Sequence, residues 1–338
     1  MSSATIRDVA KFAEVSVATV SRVLNNPSTV SQVTRERVIE AIDSLSFTPN
    51  PVARRLSLGL THSIAVILPL FTLPSYVERL RGVQHALASS GYDLILYNVD
   101  TPEQREDYYS SLTLRARVDG TLIISLPPSD SDADRFVQAN VPTILIDAFH
   151  PKLSCVYVDD VDGGYRATKH LIDLGHRKIG FISDILDTPL EFGPMKNRFA
   201  GYRKALEEAA IPYDEMLHKE GPHGRHEAGL LAKGLLKMDE PPTAIFAASD
   251  TQAIGVIDSA RDLGLNVPED LSIIGYDGIR DAEYLNLTTM QQHLYNSGEV
   301  GTYLLLDVLK NNTPFYPPKQ QKLPVDIVIR GTTAPLRA

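Results

Sequence analysis

Four polar residues stand directly behind apolar runs: Asp147 after TILI, Ser249 and Asp250 after AIFAA, and Asp277 after LSIIGY. Short runs of that composition read as buried strands. In doubly wound sheets ligands collect beyond the carboxyl ends of the strands. Arg198 opens a helical stretch a little beyond the run KIGFI. A carboxylate accepts hydroxyl hydrogen bonds on both oxygens, and a guanidinium donates in a fixed fork. Carboxylates opposite an arginine, with aromatic faces nearby, therefore suit a polyhydroxylated ligand. Each acid also has a plainer reading, as a helix N-cap or a solvated loop residue. Neither G-x-S-x-G nor G-x-x-x-x-G-K-[ST] occurs, and the lone Cys155 has no indicated histidine partner. The expectation is a binding protein rather than an enzyme, with no cofactor and no metal.

A second chemistry lies in TIRDVAKFAEVSVATVSRVLN, residues 5–25. Thr5 can cap one short helix, with Asp8 at the capping-box position, and Ser16 can cap a second. Ile6, Val9, Ala10 and Ala13 fall at helical spacing, as do Val20, Val23 and Leu24. The outer face of the second helix is left to Val17, Ala18, Thr19, Ser21 and Arg22. Small, polar and basic, that face can enter a major groove about 12 Å wide. This is the helix-turn-helix geometry, read against the simpler alternative of a helical hairpin. A third helix is predicted over residues 32–45, capped by Ser31 and stopped by Thr48-Pro49-Asn50-Pro51.

The 338 residues suit two or three domains, and 43% hydrophobic with 22% charged residues is an ordinary globular balance. One cysteine argues against a disulfide framework and fits a reducing cytosol. No export signal or 18-residue apolar run is read, so a cytoplasmic location, with no membrane, is expected. The net charge of −9 divides unevenly: residues 1–60 hold seven basic side chains against five acids, or +2, leaving −11 for the rest. Seven candidate strands (64–68, 93–97, 120–124, 143–146, 178–182, 244–248 and 271–275) then alternate with helical stretches, the pattern of a helix-wrapped parallel sheet. HKEGPHGRHEAG, with His218, His223 and His226, reads as a loop of solvated histidines rather than a metal site, lacking a second ligand cluster. VDDVDGG lacks the rhythm of a calcium loop and reads as a crossing strand before a capped helix.

DVAKFAEVSVATVSRVLN followed by VSQVTRERVIEAIDSLSFTPNPVARRL resembles the N-terminal signature of the LacI/GalR family of bacterial transcription regulators. The likeness is ungapped over the first 60 residues, with weaker ordered matches toward the C-terminus. It implies an all-α helix-turn-helix head (residues 1–48), a hinge helix (49–60) and an α/β body (61–338). The body would be a periplasmic-binding-protein-like clamshell of two doubly wound parallel-sheet subdomains, crossed three times by the chain. Lobe one would be about 61–159 plus 293–320, and lobe two about 160–291 plus 322–338.

By the same resemblance, Thr5, Ser16, Val17, Ala18, Thr19, Ser21, Arg22 and Asn25 meet the major groove and backbone. Leu56 sits where the family wedges an apolar side chain between base pairs, with Ala53 and Arg54 beside it. RFAGY places Arg198, and IIGYD places Asp277, on the family's effector positions. Asp147 and Ser249 match contacts of sugar-responsive members, although many relatives carry asparagine at Ser249. Tyr76, Phe192 and His223 fall on cleft-lining positions, with Phe71 a looser candidate. The chain is thus expected to be a repressor, bound to near-palindromic double-stranded operator DNA as a homodimer. Val17-Ala18 points to an A/T-flanked site with a central C-G step. The expected effector is a mono- or disaccharide; a purine or nucleoside, a sugar receptor without a DNA role, and an α/β enzyme are the rivals.

Overall fold

The computed structural model describes residues 4–47, 61–113, 117–190, 193–311 and 317–337. Ala53, Arg54 and Leu56 of the expected hinge, Phe192, and the side chain of Asn25 lie outside what is described. Contacts divide the chain into two units, Met1–Thr61 and His62–Ala338.

The first unit packs α1 (Ile6–Phe12), α2 (Val17–Asn25) and α3 (Gln32–Ser44) around one small core. Each helix starts where a side chain takes up an otherwise orphan backbone N–H. The Asp8 N–H donates to the Thr5 hydroxyl, while the Thr5 N–H donates to the Asp8 carboxylate at 2.8 Å, closing a capping box. Ser16 accepts from the Thr19 N–H at 3.1 Å, and Ser31 caps α3. Glu14, at φ 54°, turns the chain between α1 and α2. Val9, Val20 and Val38 meet at zero exposure, one from each helix.

The second unit begins with β1 (Ser63–Leu68), α4 (Pro74–Leu87), β2 (Asp93–Asn98), α5 (Pro102–Leu112), β3 (Gly120–Ile124), α6 (Asp130–Ala139), β4 (Thr143–Ile146) and β5 (Ser154–Tyr157). It continues with α7 (Asp160–Asp173), β6 (Ile179–Asp184), α8 (Gly193–Glu208), β7 (His218–Gly221), α9 (Arg225–Leu236), β8 (Ala244–Ala247), α10 (Asp250–Asp262), β9 (Ser272–Asp277), α11 (Arg280–Tyr284) and β10 (Thr288–Gln291). Last come α12 (Leu294–Asn311), β11 (Gln320–Lys322) and β12 (Asp326–Val328).

The strands form two six-stranded sheets, ordered β11-β5-β4-β3-β1-β2 and β12-β10-β9-β8-β6-β7. Every pairing is parallel except that of β12, which runs antiparallel to β10. The chain passes between sheets after β5, after β10 and after β11. Central strands such as β1 are buried on both faces, as parallel sheets covered by helices require. His218–Gly221, expected as loop, is an edge strand, and His218 is stacked on Phe199 at 4.3 Å rather than solvated. Asp159 caps α7 by accepting from the Asp162 N–H at 3.0 Å.

Helix pairs in both lobes meet backbone to backbone. A methyl group at Gly164 would strike the Arg198 carbonyl, and one at Gly201 the carbonyl of Val161. That contact locks α8 onto α7 and sets Arg198 beside the start of α7. Gly82 and Gly298 bring α4 and α12 together in the same way in the other lobe.

Candidate functional site

Strand ends from both sheets converge on one cavity of about 40 Å³, lined among others by Ser125, Asp147, Asp184, Ser249 and Asp277. That is room for two or three water molecules at roughly 15 Å³ each, so around these side chains the lobes are nearly shut on each other. Ser125, Asp147 and Asp277 have φ of 57°, 56° and 123°, a left-handed backbone that L-residues adopt at a cost on the order of 1 kcal/mol. Three such residues at strand ends around one cavity is the pattern of a binding site rather than of a relaxed loop.

On the lobe-two side, Arg198 is 2% exposed. Its Nε donates to Asp160 at 2.8 Å, one Nη donates to the Ala248 carbonyl at 2.7 Å, and Asp277 lies 3.5 Å away. The guanidinium also sits 3.8 Å over the Tyr276 ring. Burial pushes the Asp160 and Asp277 carboxyls above their ordinary range against the opposing pull of Arg198. Burial opposes the charge on Arg198 too, but Asp160 and Asp277 outweigh it and hold the guanidinium ionised. His223 Nδ1 lies 2.9 Å from Asp184, whose carboxylate also accepts from the Gln252 amide at 2.9 Å.

On the lobe-one side, Arg79 lies 3.0 Å from Asp147 and donates to Gln292 at 2.8 Å. The Gln292 amide donates in turn to Asp277 at 2.6 Å, so one polar chain runs from lobe one to lobe two through the segment joining them. The Ser125 hydroxyl donates to the second oxygen of Asp147 at 2.6 Å. Tyr76 closes this side, its phenol pKa raised by burial. Arg79 Nε is buried with no hydrogen-bond partner.

The expected cleft residues Tyr76, Asp147, Arg198, His223, Ser249 and Asp277 therefore come together. Two others do not. Asp250 points away from the cavity and ties down the start of α11, accepting from the Gly278 and Ile279 N–H groups at 2.8 and 2.9 Å and from the Thr289 hydroxyl at 2.5 Å. Its carboxyl is pushed up to about 8 by burial and the nearby Asp277. Phe71 is 41% exposed on a turn, and Leu70 and Leu73 line the cavity in its place. Arg79, Ser125, Asp184 and Gln292 were not anticipated. Ser125 and Asp184 also end apolar runs, so the rule that found Asp147 finds them. Arg79 sits mid-helix and Gln292 on a crossover, where sequence gives no such cue.

In the first unit, Val17, Ala18 and Arg22 of α2 are exposed, while Thr19 and Ser21 are half-buried. The Ser16 and Thr19 hydroxyls lie 2.9 Å apart, and the Thr5 hydroxyl donates to Asp8 at 2.7 Å. The outward face is short-chained and basic, fit for a groove.

A two-lobed body closing on a charged cavity, in one chain with a helix-turn-helix unit, defines a ligand-responsive DNA-binding protein. Comparison with known proteins agrees. Residues 5–50 match the family described as bacterial regulatory proteins, lacI family, and residues 168–333 the periplasmic binding protein-like domain. The chain is 35% identical over 314 residues to catabolite control protein A of Priestia megaterium, covering 91% of this chain and 93% of that one. The lac repressor dimer bound to operator and the anti-inducer ONPF superposes with a TM-score of 0.83 at 28% identity, covering 98% and 100% of the two chains. A complex of the transcriptional regulator CelR with cellobiose gives 0.70 at 30% identity, covering 97% and 99%. The chain belongs to the lacI family of bacterial regulatory proteins, DNA-binding transcription regulators with an effector-binding domain. Among the described residues no helix is long and apolar enough to cross a membrane.

Proposed function

We propose that this protein is a repressor whose homodimer holds a near-palindromic operator and whose hold is set by a small sugar in the interlobe cavity. The observation that carries the sugar reading is the alternation of two buried arginines with carboxylates around one cavity. Such a wall offers acceptors and forked donors to several hydroxyls at once. The cellobiose held by the similar CelR protein supports it further. Val17, Ala18, Thr19, Ser21, Arg22 and Asn25 would reach the major groove, with Thr5 and Ser16 presenting capped helix starts to phosphates. Ala53, Arg54 and Leu56 would act at the operator centre.

Control requires that the sugar bind the DNA-competent and incompetent states with different affinity. The test is selection of a site from random DNA by the full chain, followed by operator-binding isotherms with mono- and disaccharides, purines and nucleosides. A sugar should shift operator affinity at least about fivefold. A purine or nucleoside producing that shift while every sugar is inert would overturn the sugar reading.

A further inference from the structure

A larger chamber of about 430 Å³ opens beside the inner cavity, and the two share Asp147 and Pro194 as a common wall. The outer chamber alone falls in the range of roughly 300–1,000 Å³ typical of small-ligand pockets. Phe149 stands in it 46% exposed, supported edge-on by Tyr157 with ring centroids 5.4 Å apart. A large aromatic ring held rigidly at the wall of a concave chamber, with a face left to solvent, is a platform for an apolar ligand face. Across from it the start of α8 contributes Asn197, exposed and adjacent in sequence to Arg198. Of the three acids in its wall, Asp159 already accepts from Lys322 at 2.7 Å. Its other two carboxylates are engaged as well, Asp160 with Arg198 and Asp147 with Arg79 and Ser125, so Phe149 and the Asn197 amide are the least engaged groups that the chamber presents.

We propose that the outer chamber is a subsite for the second unit of a disaccharide effector. With the lobes parted enough to widen the inner cavity beyond its 40 Å³, one ring meets Arg198 and Asp277 inside and the next lies over Phe149, beside Asn197. A pyranose suits both halves, having hydroxyls at its edge for charged groups and a C–H face for an aromatic ring. The proposal rests on the sugar reading of the inner cavity.

Calorimetric titration of the full-length wild type, Phe149→Ala and Asn197→Ala with maltose, cellobiose, lactose, trehalose and sucrose, and with glucose, galactose and fructose, tests it. At least one disaccharide should bind about tenfold tighter than its own monosaccharides. Phe149→Ala should weaken that disaccharide roughly tenfold and its monosaccharides far less. Asn197→Ala should act in the same direction, more weakly. If a monosaccharide binds as tightly as every disaccharide, or Phe149→Ala weakens both classes alike, the subsite is refuted and the sugar reading stands. If wild type binds no sugar but takes a purine or nucleoside, the sugar reading falls and the subsite with it. Should Phe149→Ala fail to fold, Phe149→Leu keeps the bulk while removing the ring face.

Discussion

The two lobes present the same device to the cavity with different degrees of completion. Each sets an arginine from a helix against aspartates at strand ends, and each uses a glycine-tightened helix pair to hold that helix in place. In lobe two Arg198 is wrapped on every side by Asp160, Asp277, the Ala248 carbonyl and the Tyr276 ring. In lobe one Arg79 has Asp147 and Gln292, and its Nε is left without a partner. A fully satisfied buried charge is rigid, and a partly satisfied one is where a ligand gains most by supplying the missing bond. Lobe two is therefore the fixed jaw and lobe one the jaw completed by the effector.

Removing each arginine in turn tests that contrast most severely. Arg198→Ala leaves Asp160 and Asp277 buried without their counter-charge, a loss of about 3–5 kcal/mol by analogy with broken buried pairs. It should also abolish the effector response while operator binding, measured at low temperature, persists. The double variant Arg198→Ala/Asp160→Ala should regain part of the melting temperature and none of the response, because one unpaired acid is gone and the ligand contact is still missing. Arg79→Met should cost less, about 1–3 kcal/mol, since Ser125 still donates to Asp147. Equal losses for the two arginines would dissolve the distinction between the jaws.

A smaller effect concerns how the jaws are held together. Leu190, on the loop between β6 and α8, belongs to the lobe-two stretch of chain yet is buried in the lobe-one core with Tyr109 and Leu126. Arg105 of lobe one donates to its carbonyl at 3.4 Å. The ion pair of Arg280 with Glu78 at 3.2 Å also joins the lobes, but it is largely exposed on its arginine side and contributes little. Leu190→Ala should destabilise the closed arrangement by about 2–3 kcal/mol. Small-angle scattering should then give a larger radius of gyration without ligand, and stopped-flow binding a faster effector on-rate. A lower melting temperature with an unchanged radius would make Leu190 mere packing.

How far the sequence reveals these parts depends on what each leaves in local composition. The buried central strands β1, β3, β4 and β8 announce themselves as apolar runs, because both faces are covered. The strands β7, β11 and β12 do not: they sit at sheet edges, partly exposed, with sequences HKEG, QQK and DIV. Asp147 and Asp277 are found by standing at the ends of apolar runs, and Asp250 is misassigned by the same rule. Position after a strand cannot tell whether a carboxylate faces the cavity or folds back on the neighbouring turn. Arg79 and Gln292 are invisible for a different reason, since their site exists only once α4 and the β10–α12 crossover are brought together.

The mildest test uses His223, a titratable cation that lobe two adds to its wall. Burial disfavours its charge, but the Asp184 carboxylate, with a lesser pull from Asp277 and opposition from Arg198, holds its pKa above the ordinary value. A histidine whose pKa is raised on folding adds stability that is complete below the unfolded value of about 6.5 and is lost as pH climbs through the folded value. His170, His176 and His218 behave oppositely: burial lowers their pKa values, so their contribution is lost as pH falls. The total pH profile mixes both signs, and the difference between wild type and His223→Gln isolates one of them. That difference in melting temperature should be largest near pH 6 and shrink steadily toward pH 8.5. A flat difference would mean that the ring takes up no extra proton on folding and meets Asp184 as a neutral imidazole donating from Nδ1.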